Sequence, residues 1–238
     1  MTFLGKLQKI SHFVGRPGCD GPPVFVNSMP KAGTNLFESW LIQSGYKRHP
    51  TKCIDEHNVD SAKVRPVAGK FYVSHLAQDD IMHGQGFKTF LVTRPLWQCL
   101  RSYVNYMHID TKHPVSVFAR ETPFEEMLER LFFSDNNPNG RPLVDEYLRF
   151  STLDRSRYDL VLTFRELIDL DDKMVATTAD VLGLPTVDMA ASLKSALERE
   201  SYTKNLGRID LFAELEPDRL AALVKRVEEL EAAAGEVG

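Results

Sequence analysis

The amino-acid sequence predicts an α/β fold in three layers, with a mostly parallel central sheet flanked by helices. Short apolar runs bounded by turn residues, typical of fully buried strands, alternate with stretches that carry apolar residues at helical spacing. Strands that alternate with helices in this way form parallel sheets covered on both faces. Because ligands bind beyond the carboxyl ends of the strands in such sheets, we expect the functional residues directly after each strand.

The predicted elements follow one another along most of the chain. The predicted strands cover residues 24–26, 71–73, 90–92 and 160–162. The predicted helices are 36–43, one that begins near Pro95, 124–133, one that follows the fourth strand and ends near Gly183, and one that begins at Pro217. Turn residues predict a loop over 135–142. The 238 residues fit one domain or at most two small ones, and we expect one, with an N-terminal arm over 1–20 and a C-terminal helix over 216–238.

Charge and cysteine content argue against several classes of protein. The net charge of −4 argues against a nucleic-acid partner, because binding to a phosphate backbone needs a basic face. The three cysteines are widely spaced and form no C-x-x-C pair, so neither a disulfide framework nor a zinc site is expected. Such cysteine usage favours a reducing compartment, and we expect a cytoplasmic protein. No apolar run approaches the roughly 18 residues of a membrane span.

A candidate anion-binding loop lies between the first predicted strand and the first predicted helix. It reads Ser-Met-Pro-Lys-Ala-Gly-Thr-Asn over residues 28–35. A turn of small residues directs backbone N–H groups inward, and the helix N-terminus adds partial positive charge. Lys31 adds a full charge, and we expect Thr34 and Asn35 to cap the helix or to bind phosphate oxygens. The loop is not a Walker A sequence, because its lysine precedes its glycine; the alternative is an ordinary turn with a surface lysine.

This loop resembles the P-K-S-G-T-[TN] loop of sulfotransferases that use 3′-phosphoadenosine 5′-phosphosulfate (PAPS). The resemblance rests on Pro30, Lys31, Ala32, Gly33, Thr34 and Asn35. In that family the loop holds the 5′-phosphosulfate, and its lysine contacts the bridging oxygen that becomes the leaving group. The resemblance therefore implies a P-loop-like fold, PAPS as co-substrate, 3′-phosphoadenosine 5′-phosphate (PAP) as product, and a catalytic role for Lys31.

A second match follows the third predicted strand. Arg94 lies at the strand end, and Ser102 and Tyr103 come eight and nine residues later. These residues resemble the family's second motif, in which an arginine and a serine bind the 3′-phosphate. Arginine suits that task because its guanidinium offers a rigid fork of donors. The alternative is an arginine in a surface ion pair beside a solvated serine.

A histidine follows the second predicted strand, where the proposed chemistry needs a proton acceptor. Transfer of a sulfuryl group to a hydroxyl requires a base, and a histidine with a pKa near neutrality suits that role. Of the seven histidines, His75 lies at the strand end on the expected ligand edge. Members of the family often carry their catalytic His-Leu pair there, so the resemblance implies that His75 is the base. The alternative is a structural or surface histidine.

Weaker matches lie further along the chain. Residues 160–167 resemble the family's strand-end segment in which an aromatic residue helps to enclose the adenine, and Phe164 stands where tyrosine is usual. Phe164 supplies a π-face, although a core phenylalanine is the alternative. Leu36 stands where many members carry tryptophan, so the adenine contacts stay open. Lys204 and Arg208 resemble late basic residues of the family and are expected near the 3′-phosphate; the alternative is a solvated basic turn.

The sequence thus predicts a PAPS-dependent sulfotransferase that acts on a hydroxyl or amine of a small molecule or carbohydrate. No metal is expected, because no acidic cluster accompanies the loop. The alternatives are a P-loop-type kinase or NTPase, and a non-catalytic nucleotide-binding protein with the same fold. Residues 46–69 and 106–157 match no motif, so neither the acceptor nor the oligomeric state is predicted.

Overall fold

The computed structural model describes residues 18–51, 53–59, 64–78, 83–110, 113, 115–199 and 210–235. Within these residues six strands form one sheet. The strands are β1 (Val24–Ser28), β2 (Lys47–Arg48), β3 (Ile54–Asp55), β4 (Lys70–His75), β5 (Lys88–Thr93) and β6 (Leu160–Thr163). The predicted N-terminal arm lies outside the described residues, apart from its last three positions.

The sheet is parallel at every described strand pair. Its order is β2-β4-β1-β5-β6, and β3 pairs with the end of β4. All five residues of the central strand β1 are buried, as expected for a strand covered on both faces. The predicted α/β fold with a mostly parallel central sheet is therefore confirmed.

The helices form two apolar cores, one with the sheet and one among themselves. The described helices are α1 (Thr34–Gln43), α2 (Leu96–Ile109), α3 (Ser116–Glu121), α4 (Phe124–Phe133), α5 (Leu143–Leu148), α6 (Phe164–Asp169), α7 (Asp172–Leu182), α8 (Thr186–Glu198) and α9 (Pro217–Gly235). Helices α1, α7 and α8 pack on the sheet face that carries Val26 and Phe90, while α2, α4, α5 and α9 enclose the second core. Trp40 of α1 donates its indole N–H to the Met189 carbonyl of α8 at 2.9 Å.

Parallel pairing brings the strand ends to one edge of the sheet. The register pairs Ser28 of β1 with Val92 of β5, and Asn27 of β1 with Ser74 of β4. Strands β5 and β6 also end together. The segments that follow these strands therefore start from the same edge, where the sequence predicted the ligand.

One predicted helix is wrong, and several elements were omitted. The stretch after the fourth predicted strand forms two helices, α6 and α7, separated at Leu170, which has a φ of 56°. Asp171 caps α7 by accepting a hydrogen bond from the Met174 N–H at 2.7 Å. The sequence-based prediction omitted β2, β3, α3, α5 and α8. None of the described helices is long and apolar enough to cross a membrane.

Candidate functional site

The loop between β1 and α1 turns sharply and places two residues in the left-handed region. Lys31 has a φ of 69° and Gly33 a φ of 114°. A Cβ atom at Gly33 would lie 2.5 Å from Cδ2 of Phe164, which is the first residue of α6. Both the backbone conformation and the close approach of the ring therefore require glycine at this position.

The predicted capping role of Thr34 and Asn35 is wrong. Helix α1 begins at Thr34 with Gly33 in the N-cap position, and no described side chain caps it. The Thr34 hydroxyl instead hydrogen-bonds the Ser28 hydroxyl in the protein interior, while Asn35 is exposed. The Leu36 N–H bonds the Gly33 carbonyl at 3.0 Å, but the N–H groups of the two residues before it cannot make the regular intrahelical bond, so this end of α1 can donate to an anion.

His75, the last residue of β4, is held against the loop through its Nδ1 atom. Nδ1 lies 2.8 Å from the Ser28 carbonyl oxygen and 3.3 Å from the hydroxyl of the same residue. A carbonyl oxygen only accepts, so Nδ1 carries the proton and the lone pair of the neutral ring is on Nε2. Burial lowers the pKa of His75, and the hydrogen bond to Ser28 opposes that shift only in part. The ring is therefore neutral, with Nε2 ready to accept a proton.

A buried amide fixes the strand end that carries His75. Asn27 Oδ1 accepts from the backbone N–H of Leu76 at 3.0 Å, and Asn27 Nδ2 donates to the carbonyl of Leu76 at 2.9 Å. The same side chain accepts from the Ser74 hydroxyl at 2.8 Å and donates to the Tyr158 hydroxyl at 2.9 Å. Asn27 thus binds both backbone groups of the residue after His75 and extends the pairing of β1 with β4.

Replacing this amide should destabilise the protein. Asn27→Leu removes the side-chain partner of the buried N–H and carbonyl groups of Leu76, and each such group left unsatisfied costs about 1–3 kcal/mol. We expect the free energy of unfolding, measured by urea denaturation, to fall by on the order of 3 kcal/mol or more. Ser74→Ala removes only one of the four hydrogen bonds and should cost about 1 kcal/mol. Equal stability of Asn27→Leu and the wild type would show that the network does not hold the strand end.

Arg94 connects separate parts of the site. Its Nη1 donates to the Lys31 carbonyl oxygen at 3.2 Å, and its Nε donates to Oε1 of Gln98 at 3.1 Å. Its guanidinium carbon lies 4.3 Å from the centre of the Phe164 ring, which is a cation–π distance. The arginine of the second motif therefore contacts both the candidate anion-binding loop and the aromatic residue of the weaker match.

These elements surround a cavity of about 320 Å³ at the carboxyl edge of the sheet, a size typical of ligand pockets. Among the predicted site residues, those that line it are Pro30, Lys31, Gly33, Thr34, Asn35, His75, Arg94, Ser102 and Phe164. Ala32 differs, because its side chain is fully buried in the second core and only its backbone can face a ligand. Lys204 and Arg208 lie outside the described residues.

The cavity also includes residues that no motif indicated. Ala196, Leu197 and Arg199 line it from the end of α8, and Ile168 lines it from α6. Arg199 adds a cation to those of Lys31 and Arg94. The sequence offered only an indirect signal, since Arg199 precedes the basic stretch that was matched to the family's late residues.

The Lys31 side chain is partly withdrawn from water. Its Nζ atom lies 3.2 Å from the centre of the Tyr106 ring on α2. Burial lowers the pKa of Lys31 to about 8, and the nearby Asp110 carboxylate opposes this shift. Lys31 is therefore a cation that loses its proton close to physiological pH.

Among the described residues, no group of three or more His, Cys, Asp or Glu side chains is arranged to hold a metal ion. The absence of a metal from the reaction stays a prediction, because part of the chain is not described.

Comparison with known proteins supports the fold. No protein-family model matches the chain, and no curated protein matches it. Among solved structures, the chain is similar to mouse sulfotransferase SULT7A1 in complex with PAP, with 13% sequence identity and a TM-score of 0.54 over 91% of this chain and 89% of that chain. At this identity the similarity shows a shared α/β fold.

Proposed function

We propose that this protein transfers a sulfuryl group from PAPS to a hydroxyl or amine of a small-molecule or carbohydrate acceptor. The observation that carries the proposal is that the anion loop, His75, Arg94 and Ser102 all line one cavity. The motif resemblance and the fold shared with a PAP-bound sulfotransferase support the same donor. We further propose that the chain acts as a single domain, in the cytoplasm and without a metal.

The donors around the cavity fit the two charged ends of PAPS. The loop amides and the N-terminus of α1 suit the 5′-phosphosulfate, and Lys31 adds the charge that balances it. Arg94 and Ser102, with Arg199 on the same cavity, suit the 3′-phosphate. Phe164 offers a π-face to the adenine. A nucleotide without a 3′-phosphate would leave this second group of donors unused.

The proposed chemical step is an in-line displacement at sulfur. The acceptor oxygen or nitrogen forms a bond to sulfur while the bond between sulfur and the bridging phosphate oxygen breaks. His75 Nε2 accepts the proton that the acceptor loses. Lys31 and the loop amides stabilise the negative charge that develops on the leaving oxygen. Arg94 and Ser102 orient the donor, so that its translational and rotational entropy is lost on binding and not in the chemical step.

Formation of PAP together with a sulfated acceptor tests this proposal. The protein is incubated with PAPS and a panel of phenols, alkyl alcohols, amines and saccharides, and both products are measured by mass spectrometry. We expect equal amounts of PAP and sulfated product with the wild type and almost none with His75→Asn. PAP binding without turnover on any acceptor, unchanged in His75→Asn, would favour a non-catalytic nucleotide-binding protein.

Arg94→Ala should weaken PAP binding far more than AMP binding. A charge-assisted hydrogen bond is worth about 1.5–3 kcal/mol, so its loss should weaken PAP binding about 10- to 150-fold. AMP lacks the 3′-phosphate and should respond little. Titration calorimetry with both nucleotides measures the difference, and Arg149→Ala, at a surface ion pair with Glu56, is the control. Equal losses for PAP and AMP would remove Arg94 from the 3′-phosphate site.

The pH profile of kcat/KM should report the ionisation of Lys31 in the free enzyme. Burial lowers the pKa of Lys31 to about 8, and only its protonated form can stabilise the leaving oxygen. The value of kcat/KM should therefore fall about tenfold per unit above pH 8. The pKa of His75 is also lowered, so the acid limb, where the base becomes protonated, should lie below the usual histidine range. Lys31→Arg should abolish the fall in kcat/KM above pH 8, because arginine stays protonated. If this variant shows the same fall, the ionising group is a residue other than Lys31.

A further inference from the structure

Two residues near the Lys31 side chain, Tyr106 and Asp110, have no part in the reaction described so far. Tyr106, near the end of α2, presents its ring face 3.2 Å from the Lys31 Nζ atom, well within the range of a cation–π contact. Its hydroxyl donates to a carboxylate oxygen of Asp110, which follows about one helical turn later. Neither residue lines the 320 Å³ cavity, and neither belongs to the matched motifs. The Tyr106 ring therefore contacts the lysine, and the Asp110 carboxylate holds the Tyr106 hydroxyl.

The loop backbone is restrained at Lys31. Its φ of 69° and the hydrogen bond from Arg94 to its carbonyl oxygen fix the loop at this residue. Its side chain is half-buried, and a charge partly removed from water needs substitute partners. The Tyr106 ring contacts the ammonium group directly, and the nearby Asp110 carboxylate favours its charged form.

We infer that Tyr106 and Asp110 are positioning residues that hold the Lys31 ammonium charged and oriented toward the leaving oxygen of the donor. This inference rests on the proposed function and adds two residues to its machinery. A lysine side chain has a flexible four-carbon stem, so an unsupported ammonium samples many orientations. Stabilisation of a leaving group is most effective when the charge is already in place before the reaction.

The charges that face Lys31 have opposite effects on its ionisation. Asp110 favours the ammonium form. The imidazoles of His75 and His113 interact with Lys31, but burial lowers the pKa of each, so both are neutral between pH 7 and pH 9. Arg94 bonds the Lys31 carbonyl and is a cation throughout this range. Of these neighbours, Asp110 is therefore the one whose removal should lower the pKa of Lys31.

Chemical labelling tests the effect of Asp110 on Lys31 without requiring turnover. The full-length protein is treated with acetic anhydride at a series of pH values, and the rate of Lys31 acetylation is measured by mass spectrometry. We expect a midpoint near pH 8 in the wild type, as the lowered pKa of Lys31 implies, and a midpoint at lower pH in Asp110→Asn. The alkaline limb of kcat/KM should move in the same direction. Coincident labelling midpoints in the two proteins would overturn the role of Asp110.

Kinetics tests the Tyr106 contact. Tyr106→Leu removes the ring and should lower kcat by about 2- to 30-fold, the range that a cation–π contact provides, with the Kd of PAP unchanged. Tyr106→Phe keeps the ring and should recover most of the loss. Phe133→Leu, which removes the ring 3.5 Å from the Arg226 guanidinium, is the matched control and should have wild-type kcat.

A normal kcat in Tyr106→Leu, or a loss confined to PAP affinity, would overturn the inference. If the wild type neither binds PAP nor forms it, the proposed function fails, while the labelling midpoints still decide whether Asp110 governs Lys31.

Discussion

Replacing His75 by alanine should lower kcat by roughly 10²–10⁴, the usual contribution of general acid–base catalysis. The hydrogen bond from Nδ1 to the Ser28 carbonyl leaves the lone pair on Nε2, and burial keeps the ring neutral by lowering its pKa. No other group of the proposed mechanism accepts the proton of the acceptor. The Kd of PAP should change little, because the base faces the acceptor. Steady-state kinetics and titration calorimetry measure the two effects separately.

Two further measurements distinguish a base from a structural histidine. His75→Asn keeps a side-chain donor for the Ser28 carbonyl but cannot accept the proton, so it should be as slow as His75→Ala. Free imidazole should partly restore turnover to the alanine variant, because it can enter the space that the ring leaves. A His75→Asn variant with near-normal kcat would show that the ring supports the loop and that the base is another residue.

Lys31→Ala should lower kcat by ~10²–10³, the usual loss when one stabiliser of a developing oxyanion is removed. The backbone cost of the left-handed conformation should not change, because lysine and alanine both carry a Cβ atom. The variant should therefore fold with near-normal Tm while turnover collapses. Lys47→Ala, which removes an exposed lysine on strand β2, is the matched control for the loss of one positive charge.

The comparison of Lys31→Ala with Lys31→Arg separates charge from geometry. Arginine restores the charge but not the compact ammonium over the Tyr106 ring, so partial recovery of kcat is expected. Turnover of Lys31→Ala within threefold of the wild type would contradict the leaving-group role. A loss that appears only in the Kd of PAP would assign Lys31 to binding alone.

The sequence predicted the sheet because its strands are short apolar runs between turn residues, and the structure confirms that fold. The same reasoning placed Lys31, His75 and Arg94 at strand ends, and parallel pairing brings those ends to one edge. Their catalytic and binding roles stay predictions. Local sequence patterns were enough to place these three residues, because each of them follows a predicted strand by only a few positions.

Contacts between distant segments could not be predicted in this way. The packing of Phe164 against Gly33 joins residues more than a hundred positions apart, and no local pattern encodes it. Thr34 looked like a helix cap, but its hydroxyl bonds Ser28 inside the protein. The Lys31–Tyr106 contact arises only when the loop and α2 come together. Arg199 escaped notice because α8 itself was not predicted.

Thermal unfolding with PAP and ADP most directly tests the central claim, that this cavity recognises a nucleotide with a 3′-phosphate. A ligand at 100 times its Kd adds about 2.7 kcal/mol to the stability of the folded state. For a domain of this size, saturating PAP should therefore raise Tm by roughly 5–10 °C. ADP at the same concentration should raise it much less, because it cannot engage Arg94 and Ser102 through a 3′-phosphate. Equal shifts from PAP and ADP would contradict the assignment of this cavity to PAPS.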